Sequence, residues 1–72
     1  MIGKNIRELR LTHRPPMTQQ TLALKCGFSN YIISRIEHGK RKVSSQELVI
    51  LANALDVDVS ELLNEGREEV SI

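Results

Sequence analysis

Seventy-two residues with a net charge of +1 allow one small domain, and a chain this short is stable only if it packs efficiently or gains a partner. The lone cysteine, Cys26, excludes an internal disulfide or a cysteine-built metal site and suits the reducing cytoplasm; no stretch reaches the ~18 apolar residues of a membrane span, and MIGKNIRELR mixes charged and apolar residues unlike a signal peptide. Charge is unevenly placed: residues 1–45 hold nine Lys and Arg against two acids (+7), and residues 46–72 hold one base against seven acids (−6), so one end attracts polyanions and the other repels them.

Helix 1 is expected over residues 2–13, with Ile2, Ile6, Leu9 and His13 at helical spacing. Pro15 and Pro16 end it. Thr18 is the expected N-cap of helix 2, residues 19–26, whose inner stripe is Leu22, Ala23 and Cys26. Gly27 stands where a helix end turns left-handed, and Ser29 caps helix 3, which runs to about His38 and stops at Gly39. Ser44 and Glu47 read as a capping box for helix 4, with Leu48, Leu51, Ala52 and Leu55 on its apolar face. Asp58 and Glu61 read as a second box opening a short helix 5 that carries Leu62 and Leu63. No alternating strand pattern exceeds residues 57–59. The expected fold is all-α, five short helices over residues 2–64, followed by a flexible acidic tail at 65–72.

Helix 3 has two unlike faces. With about 100° per residue, Ile33, Ile36, Ser29 and Glu37 fall together, and Ser34, His38, Tyr31 and Arg35 fall opposite, bounded by Asn30. That polar sector is either a solvated surface or a reading surface. An α-helix fits the major groove of duplex DNA, and Asn and Arg can bond base edges in pairs. The turn at Gly27 lays helix 2 across helix 3. Thr18, Gln19 and Gln20 open helix 2, where backbone N–H groups lack helical partners and favour an anion. Lys40, Arg41 and Lys42 follow helix 3 directly. These form two phosphate clamps around one helix.

The run MTQQTLALKCGFSNYIISRIEHGK resembles the helix-turn-helix of the Cro and phage-repressor type, the XRE family. The matching positions are Gln19, Leu22, Ala23, Gly27, Ser29, Ile33, Ile36, Glu37 and Gly39. The likeness continues in Ile6, Leu9 and Arg10 before the run and in Leu48, Leu51, Ala52, Leu55, Val57, Leu62 and Leu63 after it. It implies a lambda-repressor-like DNA-binding domain. It implies base contacts from Asn30, Tyr31, Ser34 and Arg35, and phosphate contacts from Gln19, Lys40 and Lys42. It also implies a partly buried ion pair between Arg10 and Glu37 that serves structure. The sequence departs from the family pattern at Val43, where proline is common, and at Asp56, where glycine is usual. Asn30 and Tyr31 replace the glutamine pair of well-known phage examples, so no operator sequence can be transferred.

The expectation is a sequence-specific duplex-DNA-binding regulator, a cytoplasmic repressor of bacterial or phage origin that acts as a homodimer. Thr18, Gln20, His38 and Arg41 join the phosphate-facing set. The expected dimer surface includes Val57, Val59 and Leu62, side chains that could equally belong to the monomer core. No cofactor, metal or membrane is implied. His13 and His38 lack ligand partners at useful spacing, Cys26 reads as core filler, and no catalytic constellation stands out. The rival class is an antitoxin or other interaction module that binds a protein partner through the tail and DNA secondarily. A small enzyme has no feature in its favour.

Overall fold

The computed structural model describes residues 1–64. Its elements are α1 (Ile2–Thr12), α2 (Gln19–Cys26), α3 (Asn30–Glu37), α4 (Ser45–Leu55) and α5 (Val59–Leu63), with no strand among the described residues. The expected tail, 65–72, lies outside them. Helix α2 ends at Cys26, as expected, and α3 ends at Glu37, one residue before His38; both ends are closed by glycine. Gly27 adopts φ 76°, and its N–H donates to the Leu24 carbonyl while Phe28 N–H donates to Ala23. Phe28 then packs against the core, which completes a Schellman stop. Gly39, at φ 72°, repeats the device after α3, with Lys40 N–H donating to the Arg35 carbonyl at 2.8 Å.

The third such stop uses Asp56 instead of glycine. Its φ of 61° is left-handed, Val57 N–H reaches the Ala52 carbonyl at 3.0 Å, and Asp56 N–H reaches Asn53. Aspartate tolerates this region better than most residues with a side chain. The N-terminal ends follow the same logic. Thr18 Oγ1 accepts from Thr21 N–H, Ser29 Oγ from Ile32 N–H, and Ser44 with Glu47 forms a complete capping box. The second expected box is not formed as such: the Asp58 side chain makes no cap hydrogen bond, and Glu61 N–H is taken by the Asp58 backbone carbonyl. Helix α1 also ends one residue early, since His13 is extended at its C-cap, and His38 is likewise the cap of α3 and not part of it.

Ile6, Met17, Leu22, Ala23, Ile33, Ile36, Leu51, Ala52, Leu55 and Leu62 make the core. Leu62 is fully buried there, so it corrects the expectation of a dimer-surface residue: its methyls are already spent on the monomer. Leu63, beside it, is 48% exposed. Val57 and Val59 are half-buried and pack on the core edge.

Two close approaches fix how α1 lies. A Cβ on Gly3 would overlap the carbonyl oxygen of Ile36 and sit 3.0 Å from that of Glu37, so glycine lets α1 press directly on the end of α3. Asn5, fully buried, donates through Nδ2 to the carbonyls of Leu62 (2.8 Å) and Asn64 (3.0 Å). It thereby satisfies acceptors left open at the end of α5.

Candidate nucleic-acid interface

The junction of α1, α2 and α3 is organised by one buried ion pair. Arg10 Nε donates to Glu37 Oε2 at 2.8 Å and its second amino group to Oε1 at 2.9 Å. The remaining amino group donates to the Met17 carbonyl at 2.9 Å, and Met17 N–H donates back to the Arg10 carbonyl at 3.0 Å. This holds the α1–α2 loop and seats the buried Met17. Gln19 Nε2 donates to Glu37 Oε1 at 3.0 Å. The pair therefore has the structural role implied by the resemblance, and it also aims the residue that opens α2.

At that end of α2, the Thr18 hydroxyl is occupied by its cap with Thr21. The anion-facing capacity lies in the N–H groups of Gln19 and Gln20, which precede the first helical bond, Leu22 N–H to the Thr18 carbonyl. Gln20 is exposed and Gln19 half-buried.

The outer face of α3 carries Asn30 and Tyr31, both exposed, then Ser34 and Arg35, both half-buried. Tyr31 is 68% exposed, and the Arg35 guanidinium lies 5.6 Å from the centre of its ring. Arg35 also donates to the Lys40 carbonyl at 3.2 Å. Stacking and this bond hold the long side chain in a defined pose. His38 Nδ1–H donates to the Ser34 carbonyl at 2.7 Å, which leaves its Nε2 edge outward.

Lys40 and Lys42 are exposed and form no salt bridge among the described residues. Arg41 differs. Its two amino groups donate to the two Glu47 oxygens at 3.0 Å each. Arg41 also holds the Glu47 carboxyl at about 2, well below its ordinary 4.5, with the Ser44 N–H as the second cause. Arg41, expected among the phosphate contacts, is thus paired with Glu47 in this structure, and its guanidinium fastens the loop to the start of α4. Val43 packs on the core, so the loop is anchored without the family's proline.

Other features sit away from this face. His13 Nδ1–H donates to the Pro15 carbonyl, and Nε2 lies 3.0 Å from Asp56 Oδ2. Asp56 first, then Pro15, raises the His13 pKa above its ordinary 6.5. Burial pushes the Cys26 thiol up, away from the reactive thiolate. Sequence reasoning missed Gly3, Asn5, Met17 and the Arg41–Glu47 pair. Only a glycine inside a helical pattern offered a signal, at Gly3.

Residues 6–62 match the helix-turn-helix family model. The chain is 36% identical over 67 residues to antitoxin PezA of Streptococcus pneumoniae, matching 93% of this chain but only 41% of that protein. It is 34% identical to control protein C.BamHI of Bacillus amyloliquefaciens, over 89% of this chain and 78% of that one. Among solved structures, the restriction-modification controller protein C.AhdI of Aeromonas hydrophila superposes with a TM-score of 0.78 at 36% identity, covering 85% of this chain and 86% of that one. The DNA-binding domain of the P22 C2 repressor superposes with a TM-score of 0.82 at 27% identity, covering 92% and 84%. With the fold, the left-handed turn at Gly27 and the buried Arg10–Glu37 pair in place, the chain belongs to the XRE-type helix-turn-helix family of Cro- and repressor-like regulators.

Proposed function

We propose that this protein is a sequence-specific duplex-DNA-binding transcriptional regulator that acts as a repressor. The observation that carries this reading is the outer face of α3: Asn30, Tyr31 and Arg35 face outward while Gly27 and the Arg10–Glu37–Gln19 network hold the helix in place. In the major groove, Asn30 and Arg35 read base edges, with Tyr31 and Ser34 beside them. Gln19, Gln20, Lys40, Lys42 and the outward edge of His38 grip phosphates. The site is cytoplasmic, on the chromosome.

The regulator works as a homodimer. The longest dimension of the described fold is 35 Å, and it carries a single reading helix. Two half-sites about 34 Å apart need a second copy. Helices α4 and α5 offer the pairing surface, with Val57 and Val59 at the edge of the core, Leu63 exposed on α5, and Val49 and Ile50 exposed on α4.

Selection of bound sequences from random duplex DNA tests the reading: a two-fold symmetric site supports it, and uniform recovery of all sequences refutes it. Asn30→Ala costs about 1–3 kcal/mol at one base position and leaves the others unchanged. An equal loss at every position would place Asn30 on the backbone. A second reading, an antitoxin that represses its own operon, rests on the likeness to PezA, of which this chain spans 41%. Co-purification of a neighbouring gene product with this chain would favour it.

A further inference from the structure

A groove of ≈ 530 Å³ runs along one flank of α1, beside the start of α2 and the end of α3, and its lining includes Lys4, Arg7, Arg10, Gln19, Glu37 and His38. It is continuous with the DNA-facing residues, because Gln19 and His38 belong to both. The charges of Arg10 and Glu37 cancel in their buried pair. Arg7 is exposed and forms no salt bridge among the described residues. On α1, at about 100° per residue, Arg7 lies just outside the flank that holds Gly3 and Arg10. Those two residues touch the end of α3, so Arg7 stands at that same edge.

From this placement we infer that the groove seats a backbone phosphate of the bound duplex, with Arg7 as its ligand and Lys4 at its rim. The inference extends the DNA-binding reading and rests on it. A guanidinium matches a phosphate through paired N–H···O bonds, and the ends of α2 and α3 flank it with the Gln19 amide and the outward edge of His38. The site adds a contact on the α1 side of the reading helix, opposite in sequence to the Lys40–Lys42 loop. The grip then runs along the backbone on both flanks of α3. Because it meets only phosphate, it raises affinity and carries no base preference.

The test is Arg7→Gln, with Arg14→Gln as a control. Arg14 is also exposed, in the α1–α2 loop, and does not line the groove. Dissociation constants are measured from about 50 to 200 mM salt on a selected duplex and on a scrambled one. One lost phosphate contact weakens both duplexes about fivefold near physiological salt and reduces the slope of log K against log salt by about 0.9. Arg14→Gln changes affinity less than twofold or so, and Arg7→Lys recovers most of the slope. Equal effects of R7Q and R14Q would overturn the inference, as would an R7Q effect confined to one base position. A lowered melting temperature with unchanged binding would also overturn it, since Arg7 would then serve only the carbonyls at the end of α3. A wild type that binds no duplex removes the DNA-binding reading itself, whereas unchanged R7Q binding by a competent wild type removes only this extension.

Discussion

Arg10 and Arg41 each hold a glutamate through two hydrogen bonds of 2.8–3.0 Å, one where three helices meet and the other where a loop enters α4. Their geometry is nearly the same and their surroundings are not. The Arg10 and Glu37 side chains are 9% and 2% exposed, and those of Arg41 and Glu47 are 34% and 21% exposed. In the first region neither charge can fall back on water, so each depends on the other and on the hydrogen bonds from Gln19 and to Met17. In the second, solvent replaces either partner at small loss. A bidentate pair is thus a fixed part of the frame in one place and a clip in the other, and burial decides which.

The comparison can be broken most directly by removing each acid in turn. Glu37→Ala leaves a buried guanidinium alone and also releases Gln19; it destabilises by about 3–5 kcal/mol in urea unfolding. Glu47→Ala loses a surface pair and half a capping box, about 1 kcal/mol by the same measurement. Equal costs would show that burial does not separate the two regions. Next in size, Gly3→Ala forces α1 away from the end of α3 and costs about 1–3 kcal/mol in thermal unfolding. An unchanged melting temperature would mean that α1 can slide without disturbing the Arg10 region.

Smaller effects sharpen the contrast on the DNA side. Lys40→Ala weakens binding to all sequences about fivefold near physiological salt and flattens the salt slope by about one phosphate contact. Arg41→Ala changes the slope far less, because its charge already belongs to Glu47. Equal slopes in a salt titration would return Arg41 to the phosphates. The smallest effect concerns a third pair, His13 with Asp56. The folded-state pKa of His13 is raised from 6.5, so its contribution to stability is complete below that value and is lost as pH rises through the folded pKa. Asp56→Asn removes this loss, which is read by comparing melting temperatures of the two proteins across neutral pH. Proton NMR of the His13 ring gives the pKa directly. Glu47 has the opposite sign: its contribution is present above 4.5 and is lost as pH falls toward about 2.

What was legible in the chain follows from how far each signal reaches. Caps and stops at Thr18, Gly27, Ser29, Gly39, Ser44 and Glu47 are local, and the helical period put Ile33 and Ile36 on one side of α3 and Tyr31 and Arg35 on the other. Those features appear in the structure as read. Arg10 and Glu37, 27 residues apart, were paired only through the family resemblance. Asn5 could not be read at all, because a polar residue on a helix looks solvent-facing until α5 arrives from 57 residues away. Leu62 and Leu63 are identical neighbours, and only the packing of α5 tells which is core. Arg41 read as one of three similar cations because a loop has no period to show that it turns toward Glu47.

The two carbonyls that Asn5 closes belong to the last described turn, while Asn5 itself belongs to the first. Trimming the chain's opening residues would therefore unfasten the end of α5. A fusion partner or protease acting at the start of the chain would register in α5, beside the proposed pairing surface, before it registered in the reading helix.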